Sequence, residues 1–282
     1  MLPSATSPET CSELVYLTAG GESGQHLAAL VGPLLIHDLP VTVWWPGEPQ
    51  FESKTVQELL AMADRILVDG SGWSGDGLAG LDAMADIPKR YAVDIADFAL
   101  LRQARWREAI ASTFDRPNLL PYLHHLDRID VKYAAADGAP GMANVVRPLY
   151  HVAWLASRLG MTVVSPIRAR KEPWSGYDAL LRSGRRRVSV AVRPVESKAP
   201  RGTTLSVILH AKRSRSELTV DVTAHADGVI VGATLDGEAI PERIFVAPRR
   251  REAELLAETI DAAGREAIST AVLAMAAVLV EK

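Results

Sequence analysis

The alternation of apolar and polar positions predicts a strand that ends in two adjacent tryptophans. In the segment His37–Pro49, HDLPVTVWWPGEP, this alternation runs up to Trp44 and Trp45, so the two indoles should point to opposite sides of the strand. Pro46-Gly47 then ends the strand, because proline lacks a donor and glycine suits a turn. We therefore expect one indole in the core and one facing outward, where it favours contact with a partner.

The remaining residues up to about 165 alternate between strand-like and helix-like segments. Strands are predicted at Cys11–Thr18, Arg65–Val68, Arg128–Tyr133 and Met161–Pro166, and helices at Glu22–Leu35, Thr55–Ala63, Asp97–Phe114 and Val145–Leu159. Strands that alternate with helices favour an α/β arrangement with parallel pairing.

After Pro166 the pattern changes to successive strands without helices between them. Strands are predicted at Tyr177–Leu181, Arg186–Arg193, Thr204–Lys212, Leu218–Ala224 and Val229–Leu235, with hairpin signals between several of them. An apolar helix over Glu252–Val280 should pack across this sheet. The expected fold is an α/β N-terminal domain, residues 1–165, followed by an α+β domain, residues 166–282, with a mainly antiparallel sheet and a long C-terminal helix.

Composition is that of a soluble globular protein, with 48% hydrophobic and 23% charged residues over 282 positions. The single cysteine, Cys11, excludes an intrachain disulfide. The N-terminus has neither the basic nor the apolar region of a signal peptide, and the longest apolar run, Ala271–Val280, is too short to span a bilayer. We therefore expect a cytoplasmic protein that does not bind membranes.

Charge is distributed unevenly along the chain. Residues 1–125 carry 8 lysines and arginines against 16 acidic residues, a balance of −8, whereas residues 168–215 carry 13 against 3, a balance of +10. The basic segment, which includes Arg185, Arg186 and Arg187, could be a set of solvated strand faces or could contact an acidic protein face, a phosphate or nucleic acid. It contains few aromatic residues, so no stacking platform for single-stranded nucleic acid is visible, and we expect no nucleic-acid partner.

The segment Gly70–Gly75 matches the G-x-G-x-x-G pattern of dinucleotide-binding loops. It follows the predicted strand Arg65–Val68, and Asp94 lies at the distance expected for a carboxylate that binds a ribose hydroxyl. The residues after Gly75 are too rich in glycine and proline for a long helix, and Trp73 is bulky for a loop that approaches phosphate. A nucleotide- or sugar-phosphate-binding enzyme or sensor that uses this loop is the alternative hypothesis.

No other segment carries a recognisable catalytic or metal-binding constellation. The sequence has no phosphate-binding G-x-x-x-x-G-K-[ST] loop and no His-Glu-x-x-His pair, and the histidines have structural interpretations. We therefore expect a protein that is not an enzyme and needs no cofactor or metal.

The helix predicted over Asp97–Phe114 combines cations with an aromatic residue. Arg102 and Trp106 are four residues apart, and Arg105 and Glu108 are three apart, so each pair should meet on the helix surface. Arginine stacked on tryptophan is typical of interface hot spots, although a half-buried tryptophan beside a solvated charged face has the same pattern.

Three segments resemble the OpcA family, the glucose-6-phosphate dehydrogenase assembly proteins. They are Pro33–Pro49 together with Asp64–Gly70, the Asp97–Asp115 helix, and Val152–Val163, which reads VAWLASRLGMTV. In the helix the chain keeps the family's Asp97, Arg102, Trp106, Arg107 and Glu108, but has Ala99 and Leu100 in place of an Asn-Trp pair and Arg105 in place of a proline.

The resemblance implies a non-catalytic assembly factor and allosteric activator that binds glucose-6-phosphate dehydrogenase and promotes its active oligomer. This role belongs to the oxidative pentose phosphate pathway, which supplies NADPH. We expect the partner to contact the aromatic and cationic residues singled out above, or residues that support them: Trp44, Trp45, Arg102, Trp106, Arg107, Arg185, Arg186 and Arg187. The single cysteine does not support an intrachain redox switch in this chain.

Overall fold

A computed structural model describes residues 15–17, 26–36, 38–135, 143–170, 176–247, 250–261 and 267–281. These residues form a mixed α/β structure with one sheet of three strands and one of eight. The predicted strand Cys11–Thr18, Cys11 itself and the start of the Glu22–Leu35 helix lie outside the described residues, apart from 15–17, which are not in a strand.

The smaller sheet is parallel and has the strand order β1-β2-β3. Its strands are β1 (Thr42–Trp44), β2 (Arg65–Val68) and β3 (Asp94–Asp97). Strand β2 is in the middle, and its apolar residues Ile66, Leu67 and Val68 are fully buried because helices cover both faces of the sheet.

Nine α-helices are assigned within the described residues. They are α1 (Leu27–Val31), α2 (Lys54–Ala61), α3 (Leu78–Met84), α4 (Ile87–Tyr91), α5 (Phe98–Leu101), α6 (Ala104–Phe114), α7 (Val146–Arg158), α8 (Glu252–Asp261) and α9 (Ala267–Val280). Short 3₁₀ turns follow α1, β2 and α6 at Gly32–Leu34, Gly70–Gly72 and Leu120–His125.

The larger sheet is mostly antiparallel, with the order β11-β10-β9-β8-β4-β7-β6-β5. Its strands are β4 (Leu126–Ala134), β5 (Thr162–Ala169), β6 (Tyr177–Ser183), β7 (Arg186–Val195), β8 (Thr204–Arg213), β9 (Ser216–His225), β10 (Gly228–Leu235) and β11 (Glu238–Val246). Strand β4 is central: Ile129 lies opposite Val190 of the parallel strand β7 and opposite Leu209 of the antiparallel strand β8.

One face of the larger sheet is apolar and supports the helices. Helix α7 packs on β4, β7 and β8, while α6 packs on β9, β10 and β11. The side chains beneath them are almost fully buried: Ile129, Val131, Val190, Val192, Val207, Leu209, Val220, Val222 and Val229. Alternate positions such as Arg128, Lys132 and Thr223 point to the opposite face and are exposed, as the two-residue period of a strand requires.

The structure assigns two of the predicted strands to a different sheet from the one expected. The strands predicted at Arg128–Tyr133 and Met161–Pro166 are β4 and β5, and both belong to the larger sheet. That sheet therefore begins in sequence before residue 166. Local periodicity shows that a segment is a strand but not which strand it pairs with, and β4 pairs with strands more than 50 residues later in the chain. The domain division at residue 165 stays a prediction.

Two long helices predicted from the sequence are each divided in the structure. Asp97–Phe114 forms α5 and α6, because Gln103 turns inward and its side-chain amide donates to the Arg147 carbonyl at 2.7 Å. The predicted helix Glu252–Val280 is described as α8 and α9. Helix α9 packs on α7, α3 and the strands β3 and β5, so it lies between the two sheets and not across the larger one. Helices α3 and α4 and strands β3 and β11 had no predicted counterpart.

Trp73 is enclosed by α3, and this packing depends on a glycine. The indole is 3% exposed, and a Cβ atom built on Gly80 would lie 2.3 Å from Trp73 Cε3. Gly80→Ala should therefore lower the free energy of unfolding by about 1–3 kcal/mol, because the buried ring has to move. Urea denaturation measures this change. Gly72→Ala is the matched control, since nothing lies within 4 Å of the added Cβ; equal stability losses in the two variants would refute the packing explanation.

Candidate partner-binding site

The carboxyl ends of the three parallel strands meet at one edge of the smaller sheet. Trp44 ends β1, Asp69 and Gly70 follow β2, and Asp97 ends β3. In open α/β sheets this edge is where ligands usually bind. The side chains gathered here therefore show what this chain can contact.

Asp97 connects three separate elements at this edge. Its Oδ1 accepts from the backbone N–H of Gly70 at 3.1 Å and of Ala99 at 2.7 Å, and its Oδ2 accepts from the Tyr150 hydroxyl at 2.6 Å. Asp97 thereby caps α5 and ties both the loop after β2 and helix α7 to the sheet. The carboxyl is fully buried, which raises its pKa to about 6, while these three hydrogen bonds act in the opposite direction.

The Gly70–Gly75 loop is closed on itself and on its neighbours. Every backbone N–H from Gly70 to Ser74 donates within the protein: to Asp97 Oδ1, to Asp69 Oδ1, to the carbonyls of Asp69 and Gly70, and to Glu48 Oε2. A Cβ on Gly70 would lie 2.6 Å from Asp97 Oδ2. Gly70 is therefore explained by close approach to a carboxylate, where a dinucleotide loop would approach a phosphate.

The other parts of the dinucleotide pattern are also misplaced. Asp94 begins β3 and lies opposite Arg65 at the amino end of the sheet, whereas the glycine loop follows the carboxyl end of β2. The two are separated by the length of a four-residue strand, about 10 Å. Trp73 fills the space behind the loop, and α3 has only seven residues. The geometry gives no support to the alternative of nucleotide binding through Gly70–Gly75.

An aromatic and cationic surface lies beside this closed loop. Trp44 is 41% exposed, and its ring packs at a centroid distance of 6.4 Å on the buried ring of Phe98. The Arg102 guanidinium lies over the same Phe98 ring at 5.8 Å, donates to Asp69 Oδ2 at 2.5 Å and approaches Glu252 Oε1 at 3.6 Å. We call Trp44, Phe98 and Arg102 the Trp44 surface. Arg102 is held on several sides, so this surface is formed before any partner arrives.

The two adjacent tryptophans at the end of β1 point to opposite sides, as the alternation predicted. Trp44 faces outward, whereas Trp45 is half-buried and packs against the main core, with its backbone N–H donating to the Leu67 carbonyl at 2.8 Å. Glu48, just after the turn, accepts from both the N–H and the hydroxyl of Ser74. The turn after the tryptophans is thereby fixed to the glycine loop.

The predicted stacking of Arg102 on Trp106 is wrong. The break between α5 and α6 turns Arg102 onto Phe98, and the Trp106 ring instead contacts the His151 ring of α7 at 5.1 Å. The predicted pair Arg105–Glu108 is confirmed at 2.5 Å. Arg107 is half-buried and donates to the Leu100 carbonyl at 2.7 Å, so it supports the α5–α6 corner from behind.

The remaining predicted contact residues lie elsewhere. Arg185, Arg186 and Arg187 are exposed at the β6–β7 turn. This turn lies at the end of the larger sheet where β4 begins. The glycine loop lies near the opposite end of β4. There, the Gly202 amide donates to the Ala134 carbonyl, beside Asn144. The structure therefore brings together Trp44 and Arg102, with Trp45 and Arg107 behind them, and places the three arginines apart.

Sequence reasoning missed three residues of this site. Phe98, Asp69 and Asp97 position the exposed groups, and only Asp97 was named, as a motif position without a role. An Asp that ends an apolar strand and precedes a helix is a recognisable N-cap signal, so Asp97 could have been found. Asp69 and Phe98 carried no such signal because their partners are distant in sequence.

The described part of the chain has neither a metal-binding cluster nor a membrane-spanning helix. No group of three or more His, Cys, Asp or Glu side chains is arranged to hold a metal ion there. None of the described helices has the length and apolarity needed to cross a membrane.

Comparison with known families decides the assignment. Residues 3–86 match the family model described as glucose-6-phosphate dehydrogenase subunit N-terminal domain, and residues 93–273 match the corresponding C-terminal domain. The chain belongs to the OpcA family. The resemblance noted in the sequence is therefore confirmed, and the match extends through both sheets.

Two cyanobacterial relatives named OxPP cycle protein OpcA match part of the chain. The Synechocystis sp. (strain ATCC 27184 / PCC 6803 / Kazusa) protein is 30% identical over 157 residues, and the Synechococcus elongatus (strain ATCC 33912 / PCC 7942 / FACHB-805) protein is 31% identical over 155 residues. Each match covers 55% of this chain, but only 31% and 33% of the respective relative. The chain thus matches about a third of the length of these OpcA proteins.

A solved structure supports the fold at low sequence identity. KijD10, a 3-ketoreductase from Actinomadura kijaniata in complex with TDP-benzene and NADP, superposes with a TM-score of 0.51 at 12% identity, covering 89% of this chain and 78% of that one. The likeness shows that this OpcA-family chain shares the overall fold of that structure. It carries no information about chemistry.

The burial of His151, whose ring contacts Trp106, gives a measurable pH dependence. His151 is fully buried, and burial, assisted by the charge of Arg107, lowers its pKa to about 3. Below about pH 6.5 the unfolded chain binds a proton at this residue that the folded chain does not bind, so stability falls as the pH falls. When the pH is lowered from 7 to 5, the unfolding free energy of the wild type should fall by about 2 kcal/mol more than that of the His151→Leu variant.

Urea denaturation of both proteins at the two pH values measures this difference. Asp97, whose raised pKa favours folding at lower pH, contributes equally to both proteins and cancels in the comparison. The same pH dependence in the variant and the wild type would show that His151 is not held neutral.

Proposed function

We propose that this OpcA-family chain is a non-catalytic assembly factor and allosteric activator of glucose-6-phosphate dehydrogenase, which it binds to promote the active oligomer. The observation that carries the proposal is the edge of the smaller sheet, where the amides from Gly70 to Ser74 are all bonded within the protein, Trp44 is exposed, and the Arg102 side chain is 22% exposed beside it. Family membership supports the choice of partner.

The exchange of a phosphate-binding loop for a closed one changes what this edge can bind. In a dinucleotide-binding fold the loop amides and the helix dipole hold an anion. Here four acidic side chains surround the loop instead: Glu48, Asp69, Asp76 and Asp97 accept hydrogen bonds from it or from its immediate surroundings. The amides from Gly70 to Ser74 are therefore not free to bind a phosphate, and we assign the loop to supporting the adjacent surface.

The Trp44 surface has the composition of an interface hot spot. It joins an indole and a guanidinium, two side-chain types that dominate the binding energy of many interfaces, and both pack on the buried ring of Phe98. Asp69 and Phe98 already order Arg102, so little side-chain entropy is lost when a partner binds. We assign Trp44 and Arg102 to direct contact, and Trp45, Trp106 and Arg107 to support.

Activation needs a difference in affinity between two states of the dehydrogenase. A binding protein shifts its partner toward the active oligomer only by as much as it binds that form more tightly. A rigid surface suits this task because it discriminates between arrangements of the partner that differ in shape. We propose that the chain acts in the cytoplasm, in the NADPH-supplying oxidative pentose phosphate pathway, and that it binds neither nucleic acid nor membranes.

Replacement of Trp44 tests the proposal on the purified chain and the dehydrogenase from the same cell. Trp44→Ala should weaken binding about tenfold to a hundredfold, because an exposed hot-spot tryptophan contributes on this scale, and should shift activation to correspondingly higher concentration of the chain. Titration calorimetry gives the affinity, and initial rates of NADPH formation give the activation. Urea denaturation of the variant separates lost binding from lost stability, because Trp44 is only 41% exposed and its ring packs on Phe98.

Val278→Ala is the matched control, because Val278 is 46% exposed on α9 and lies outside the Trp44 surface. It should bind and activate as the wild type does. Failure of the wild-type chain to form a complex or to change the dehydrogenase rate would refute the proposed function. Equal affinity of the Trp44→Ala variant and the wild type would instead refute the assignment of the surface.

A further inference from the structure

Two hairpins and the start of β4 bring eight basic side chains to one end of the larger sheet. Strands β7 and β8 flank β4, so the β6–β7 turn and the β8–β9 turn lie about 10 Å apart. The Arg186 Nη1 donates to the Lys212 carbonyl at 3.1 Å and links the two turns directly. We call the exposed basic residues here the cationic patch: Arg128, Arg182, Arg185, Arg186, Arg187, Lys212, Arg213 and Arg215.

Most of these charges are not neutralised by the chain's own described residues. Arg128 pairs with Asp130 at 2.8 Å, and Lys212 pairs with Glu217. The other six arginines form no ion pair with any acidic side chain in the described ranges. Like charges gathered on adjacent turns repel one another, so the cluster has a cost in the free chain that an acidic partner would relieve.

The composition of the patch indicates which partner it fits. It contains no exposed aromatic side chain on which a base could stack and no apolar side chain that could enter a bilayer. Its cations are almost all arginines, whose planar forks match carboxylates in a bidentate manner. The turns are short and the strands paired, so the guanidinium groups project from a rigid edge toward a protein surface.

The patch is far from the Trp44 surface. It lies where β4 begins, whereas the glycine loop beside the Trp44 surface approaches the chain where β4 ends, and Arg128 and Ala134 are about 20 Å apart along that strand. A partner that contacts both must extend over this distance. Exposed charges at such a distance from the hot spot mainly steer the encounter, and they change association more than dissociation.

We propose that the cationic patch is a second docking surface, which binds an acidic face of the dehydrogenase and accelerates formation of the complex. This inference rests on the proposed function. It adds a separate site and a kinetic role to it, and it extends the contact from the β6–β7 turn to the β8–β9 turn and to Arg128.

The test compares two double variants that remove the same charge. R185Q/R187Q neutralises the patch, and K89Q/R90Q neutralises two exposed cations on α4, at the amino end of the smaller sheet. Binding to immobilised dehydrogenase is followed at several salt concentrations. At low salt we expect R185Q/R187Q to associate about tenfold more slowly, with a shallower salt dependence and nearly unchanged dissociation, while K89Q/R90Q matches the wild type.

The outcomes separate this proposal from the one on which it rests. If the wild-type chain binds and R185Q/R187Q associates as fast as the wild type, the patch proposal is refuted and the proposed function stands. If no complex forms with the wild-type chain, both fail. If R185Q/R187Q keeps its association rate with the dehydrogenase but loses affinity for a DNA duplex, the patch belongs to nucleic acid and the proposal is overturned.

Discussion

The buried carboxyl of Asp97 is the constraint on which the site depends. It accepts hydrogen bonds from the loop after β2, from the start of α5 and from Tyr150 of α7. Any change that removed these acceptors would leave buried donors without partners, which costs more than the hydrogen bonds themselves contribute. The cap that Asp97 places on α5 fixes the position of Phe98. Trp44 and Arg102 both pack on the Phe98 ring, so their positions depend on this cap as well.

The same constraint changes what the carboxyl edge of the smaller parallel sheet offers to a binding partner. In open α/β sheets the carboxyl edge of the parallel strands usually offers free amides to a ligand. Here carboxylates or backbone carbonyls accept from the amides of Gly70 to Ser74, and the edge carries the exposed Trp44 indole and the half-buried Arg102 guanidinium. One fold can thus serve different functions, and the side chains at this edge determine what it can bind.

Sequence patterns predicted those parts of the molecule that depend on neighbours along the chain. The alternation around Trp44 and Trp45 predicted that the two indoles point to opposite sides, without saying which one faces outward, and the turn residues predicted the hairpin that carries Arg185. The errors involve distant partners. The contact of Gln103 with α7 breaks a helix whose spacing was regular, and β4 enters the larger sheet through pairing that no local pattern specifies. The closed state of the glycine loop depends on Asp97 and Glu48, both more than 20 residues away.

Hydrogen–deuterium exchange of the chain with and without glucose-6-phosphate dehydrogenase tests the central claim most directly. The claim is that a preformed surface at the carboxyl edge of the smaller sheet contacts the enzyme. It predicts slower exchange in residues 42–47 and 98–107 when the dehydrogenase is added, with little change in the buried strand β2. Unchanged exchange in both segments, under conditions where the complex forms, would contradict it.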